Sequence, residues 1–70
     1  VALTYESAAP YRSVRKALRV LETVSRHSSG ITEPAVAAAT RLPRTEVAAL
    51  LRMLRSEEYV RRLPDGGYVA

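Results

Sequence analysis

Apolar residues recur at helical spacing in three separate stretches of this chain, and two short β-type runs close it. Val14, Ala17, Leu18, Leu21 and Val24 form one stripe, which predicts a first helix with Ser13 as its N-cap. Arg12, Arg15, Lys16, Arg19 and Glu22 cover its other side. Val20 falls off the stripe, so it either widens the core face or meets a partner chain. Ser28-Ser29-Gly30 ends this helix, with Gly30 suited to a left-handed C-cap and His27 in the last turn, where positive charge favours the dipole.

Thr32 is the natural N-cap of a second helix. Glu33 suits its first turn, and Pro34 is tolerated there because those N–H groups lack helical partners. Ala35, Val36 and Ala39 predict a small-residue face that lets the helix sit close to its neighbour. Thr40-Arg41-Leu42-Pro43 is a break, with Leu42 tucked between helices and Pro43 opening the next one. Val47, Leu50, Leu51 and Leu54 make the buried stripe of a third helix from about Arg44 to Glu57. Two strands follow, Tyr59 to Leu63 and Tyr68 to Ala70. Asp65-Gly66 between them is a strong hairpin signal, because Gly takes positive φ without steric cost. Val60 and Tyr68 are placed to cover the open edge of the three-helix core. The fold class is therefore mainly α with a small β-hairpin: a winged helix-turn-helix, three helices plus a two-stranded wing. Residues 1–11 have no clean period and read as a flexible N-terminal arm, which leaves residues 12–70 as the domain.

Composition narrows the chemistry. Seventy residues make one domain near the lower limit for a self-sufficient core, and the 47% apolar share argues against disorder. The core residues are small and aliphatic, since Phe and Trp are absent. There is no Cys, so no disulfide and no cysteine-type zinc site, which fits a reducing cytoplasm. No apolar run approaches the roughly 20 residues of a membrane span. The chain begins at Val1 rather than Met, which reads as a piece of something longer. His27 is the only histidine, and Glu57-Glu58 are adjacent carboxylates that diverge. No acid, base or nucleophile converges, so neither an enzyme nor a cofactor is expected.

Net charge is +4, carried by ten Arg and one Lys. Arginine suits bidentate recognition of phosphate and guanine. In this layout the third helix is the one that enters the major groove of double-stranded DNA. Arg44 and Thr45 at its N-terminus would reach base edges or phosphates, Glu46 could accept from a cytosine amino group, and Ala48 and Ala49 could touch a thymine methyl. Arg52 lies on the same exposed side. Arg61 and Arg62 on the wing, Arg12 and Arg15 at the start of the first helix, and Thr32 at the start of the second complete the candidate set. Each also has a plainer reading: solvated helix charges for Arg44 and Glu46, edge-strand protection for Arg61 and Arg62, packing for Tyr59 and Tyr68.

Two stretches resemble the DNA-binding domain of IclR-type bacterial transcription regulators. Ser13-Val14-Arg15-Lys16-Ala17-Leu18-Arg19-Val20-Leu21-Glu22 is similar to the family's Ser-Val-x-Arg-Ala-Leu-x-Leu-Leu-Glu opening. The second runs from Thr32 to Val60, with Leu42-Pro43-Arg44-Thr45 in place of Leu-Pro-Lys-Ser, and Asp65-Gly66-Gly67-Tyr68 follows in the wing. The resemblance implies a dimeric regulator whose winged domain is followed by a linker and a larger ligand-sensing domain. Three positions depart from it. Arg41 and Glu58 stand where the family usually has Gly; where the backbone keeps a positive φ, each costs about 1 kcal/mol relative to Gly. Ala48-Ala49 replaces a polar or basic pair, which leaves fewer groups to read bases. A second reading therefore stays open: a winged-helix module that has lost specific DNA binding and packs against a protein.

Overall fold

A computed structural model describes residues 11–70. The element order is α1 (Arg12–Ser25), β1 (Ile31–Thr32), α2 (Glu33–Thr40), α3 (Arg44–Ser56), β2 (Arg61–Arg62) and β3 (Gly67–Val69). The three helices pack on one another, and the strands form one antiparallel sheet in the order β1-β3-β2. This is a winged helix-turn-helix, with three strands where the sequence predicts two. The arm expected over residues 1–11 lies, Tyr11 apart, outside the described residues.

The third strand in the wing sheet is β1, a two-residue segment set by pairing alone: Ile31 faces Tyr68 and Thr32 faces Gly67. β2 pairs on the other side of β3, Arg61 with Val69 and Arg62 with Tyr68. Between β2 and β3 the Leu63 carbonyl accepts from Gly66 N–H at 2.9 Å, and Gly66 has φ 91°. Pro64 and Asp65 at the tip with a left-handed Gly after them is the three-residue hairpin loop. The Asp65 carboxylate locks it by accepting from Gly67 N–H at 2.8 Å.

The core is aliphatic: Val20, Val24, Ile31, Val36, Ala37, Val47, Leu51, Leu54 and Val60, closed by Tyr68. Leu21, Leu42 and Leu50 pack on its margin. The α3 stripe is as expected, and Val60 and Tyr68 do cover the open edge of the bundle. The α1 stripe is corrected. Val20 is fully buried with Val24, whereas Val14 and Leu18 are 53% and 58% exposed. The helix is turned so that the arc through Val20 and Val24, next to the basic face, meets the core. Val20 is thus a core residue and offers nothing to a partner chain.

Smaller corrections follow the same logic. α2 buries Val36, Ala37 and Thr40, not Ala35 and Ala39. An Ala-rich helix of eight residues has little apolar contrast between its faces. Thr40 is buried with its hydroxyl satisfied, since it donates to the Val36 carbonyl at 2.8 Å. α1 starts at Arg12 after Tyr11, so Ser13 is in the first turn rather than at the N-cap. α1 ends at Ser25, its C-cap Arg26 is right-handed, and His27 follows the helix with Nδ1 2.8 Å from the Thr23 carbonyl. Gly30 is left-handed (φ 102°) but closes the turn after the helix, donating to His27 O at 2.9 Å. A Cβ there would lie 2.7 Å from Leu63 Cδ1, the end of a flexible side chain, so the positive φ rather than lack of space is what calls for glycine. The regular strands are shorter than expected, and Tyr59 is 59% exposed outside them, neither core nor wing packing.

Both departures from glycine carry the anticipated backbone. Arg41 has φ 58° and Glu58 φ 66°. Arg41 N–H donates to Ala37 O at 2.8 Å, which ends α2 in a left-handed cap. At the end of α3, Glu58 N–H donates to Arg55 O and Tyr59 N–H to Leu54 O. That pair of bonds is the Schellman motif, and Glu58 occupies its left-handed position.

Arg41→Gly and Glu58→Gly should therefore each raise stability by about 1 kcal/mol. In urea titrations the midpoint should rise with the slope unchanged. Val20→Ala should cost roughly 2 kcal/mol by the same measurement, while Leu18→Ala stays within about 0.5 kcal/mol of the parent.

Candidate nucleic-acid interface

The core stripe of α3 fixes which of its residues point outward. With about 3.6 residues per turn, the line opposite Val47, Leu51 and Leu54 runs through Thr45, Ala49, Arg52 and Ser56, all exposed. Arg44, Ala48 and Arg55 lie along one flank, with Ala48 half-buried. Glu46, Leu50 and Met53 lie along the other, facing α1. Of the adjacent pair Ala48-Ala49, only Ala49 is on the outward line.

Glu46 has a partner within the domain. Its carboxylate pairs with Lys16 of α1 at 2.7 Å, each side chain about one-third exposed. It also stands in the first turn of α3, where an anion favours the helix dipole. The acid expected to meet a cytosine amino group also joins α1 to α3. Arg44 opens α3, where a cation opposes the dipole, so helix stability does not explain it. Its guanidinium lies 3.6 Å from Glu33 of α2, a loose and largely exposed pair that a stronger acceptor could displace.

The basic face of α1 points toward the same helix-turn-helix. Lys16 reaches Glu46 of α3, and the Arg19 guanidinium donates to the Thr40 carbonyl at the end of α2. Arg12 and Arg15 lie one turn before Lys16 and Arg19 on that arc and are exposed. The fold therefore gathers Arg12 and Arg15 on the side of α1 that looks toward the turn and the start of α3. Thr32 plays a structural part: its hydroxyl caps α2, accepting from Ala35 N–H at 3.4 Å, and its backbone is paired in β1. Glu33 beside it already supplies that helix end with an anion.

On the wing, Arg61 and Arg62 are both exposed on the edge strand β2. They share an open cleft of about 390 Å³ with Arg55, Glu58 and Val60. Arg55 was not among the residues expected in the site. Its signal was its position: the last turn of a helix that is followed at once by a basic strand.

A different surface lies between α1 and α3. Val14, Leu18, Leu50, Met53 and Tyr59 line an apolar groove of about 410 Å³. Tyr59 and Leu54 meet there, as the Schellman motif at the end of α3 brings these two positions together. A patch of this kind on a small domain commonly marks an interaction surface.

A family model described as the IclR helix-turn-helix domain matches residues 13–64. No curated protein and no solved structure matches the chain significantly.

Proposed function

This chain belongs to the IclR helix-turn-helix domain family of DNA-binding regulator domains, and on that premise we propose that it binds double-stranded DNA sequence-specifically through α3. The observation that carries this reading is the composition of the outward line of α3. Arg52 is able to form a bidentate pair with guanine, while the methyl groups of Thr45 and Ala49 suit thymine methyls. Arg44 at the helix start reaches a base edge or phosphate once it leaves Glu33. Arg12 and Arg15 on one side and Arg61 and Arg62 on the other hold the backbone, which sets register without reading sequence. Thr32 is retained only as a backbone neighbour, since its hydroxyl is spent on the cap.

The functional unit in this reading is a homodimer in the bacterial cytoplasm, in which the winged domain works together with a ligand-sensing domain. Its two α3 helices enter half-sites about one helical turn, ~34 Å, apart. The apolar groove is the surface offered to the second copy. Val14 and Leu18 project from α1 beside the hollow between Leu50, Met53 and Tyr59, an arrangement that can complement itself across a two-fold axis. The same groove supports the second reading, a protein-interaction module without specific DNA binding. Duplex-induced NMR shifts on Arg44 to Arg52 and the wing favour the first reading. Shifts confined to the groove, with none from duplex, favour the second.

Duplex affinity should fall steeply with salt, because phosphate neutralisation releases counterions. Arg44→Ala should cost about 1–3 kcal/mol on the preferred site and relax its sequence preference, whereas Arg62→Ala weakens all duplexes alike. Anisotropy titrations of preferred and scrambled duplexes check both, and an absence of duplex binding at low ionic strength would sink the reading. In sedimentation experiments at high protein concentration the domain should self-associate, and Leu18→Asp should abolish this.

A further inference from the structure

We propose that the cleft between the end of α3 and the wing is a phosphate-binding site built from Arg55, Arg61 and Arg62, and that Glu58 is its built-in opponent. The inference deepens the DNA-binding reading and rests on it. Three guanidinium groups from two elements, the last turn of α3 and strand β2, line one open cleft of about 390 Å³. Guanidinium is the side-chain group best matched to phosphate oxygens, and three around one opening suit the backbone of a duplex. Among the described residues no ion pair within 4.0 Å includes any of the three, so they are available to an external anion.

Among the described residues the one acid lining this cleft is Glu58. It stands in the left-handed position of the Schellman motif, with φ 66°, where glycine would relieve the backbone. Helix-end geometry therefore gives no reason for a carboxylate at this position. Nor is the carboxylate placed to stabilise the helix, because an anion at a helix C-terminus opposes the dipole. What it does supply is one negative charge beside three positive ones. A phosphate entering the cleft meets that charge, so Glu58 lowers affinity for every duplex sequence equally. Specific and sequence-independent binding are thereby weakened by the same factor, so Glu58 sets the overall affinity and leaves discrimination to the reading face of α3.

The test is anisotropy of a short labelled duplex titrated at several salt concentrations, with urea unfolding run on each variant. Arg55→Ala should lower the slope of log affinity against log salt by about one, and Arg55→Lys should restore it. Glu58→Gln removes the charge and keeps the strained backbone, and it should tighten binding about threefold at low ionic strength, the gain fading as salt screens it. Its urea midpoint should stay where it is. Glu58→Gly should show the same tightening with a raised midpoint. Arg26→Ala, on the far end of α1 and paired with Glu22, should change neither quantity. An unchanged salt slope in Arg55→Ala, or unchanged affinity in Glu58→Gln, overturns the cleft even where Arg44→Ala still impairs binding and the DNA reading stands. Tightening by Glu58→Gly but not by Glu58→Gln assigns the effect to backbone strain and overturns the electrostatic role. Failure of the parent domain to bind any duplex removes both proposals together.

Discussion

The left-handed backbone at Arg41 sets the direction in which α3 leaves α2, and the α3 residues of the proposed DNA surface take their position from that angle. A helix ending in right-handed geometry would have carried the chain on along α2. At φ 58° the chain instead turns through Leu42, which packs on the core margin, to Pro43, which starts α3. Arginine is a costly residue for that conformation, roughly 1 kcal/mol relative to glycine. The surroundings hold it: Arg41 N–H is bonded to Ala37 O, and Arg19 of α1 donates to the carbonyl just before it. A cation on the carbonyl end of α2 is also favoured by the helix dipole. The basic face of α1 thus has a structural duty at the turn as well as a share in the proposed interface.

The orientation of α1 follows from how little apolar volume the domain has. With no Phe or Trp, the core is closed by valines and leucines that must approach closely. Two β-branched residues a turn apart, Val20 and Val24, offer a flatter and closer face to α2 and α3 than the longer Leu18 would. Turning the helix to use them also brings Lys16 within reach of Glu46 and Arg19 within reach of Thr40. What is left over is Val14 and Leu18 on the surface, which together with Met53 and Tyr59 make the apolar groove.

Much of this was readable before any coordinates. The α3 stripe, the Thr32 cap and the Asp65-Gly66 loop are local features, in which a few neighbouring residues decide the geometry; the left-handed positions at Arg41 and Glu58 were legible only through the family resemblance, which puts glycine there. The misses share a different cause. β1 is two residues long and exists only because Tyr68 and Gly67 pair with it. The buried face of α1 depends on which neighbours it meets, not on its own period. The face of α2 was ambiguous because alanines fit either side. The partners of Glu46 and the companions of Arg55 were hidden for the same reason. Lys16 on another helix claims the first, and a strand six residues downstream gives the second its companions.

The central place of β3 gives the wing a mechanical role. On one edge β3 carries β2 and its arginines; on the other it is zipped to Ile31 and Thr32, the two residues from which α2 starts. Leu63 from the hairpin loop rests against Gly30, immediately before that start. The wing is therefore joined through β3 to the first turn of α2, and through α2 to the turn that aims α3. The hairpin is braced along the middle strand rather than hung from one end, so in the proposed complex a load on the arginines of β2 bears on the same framework that aims α3.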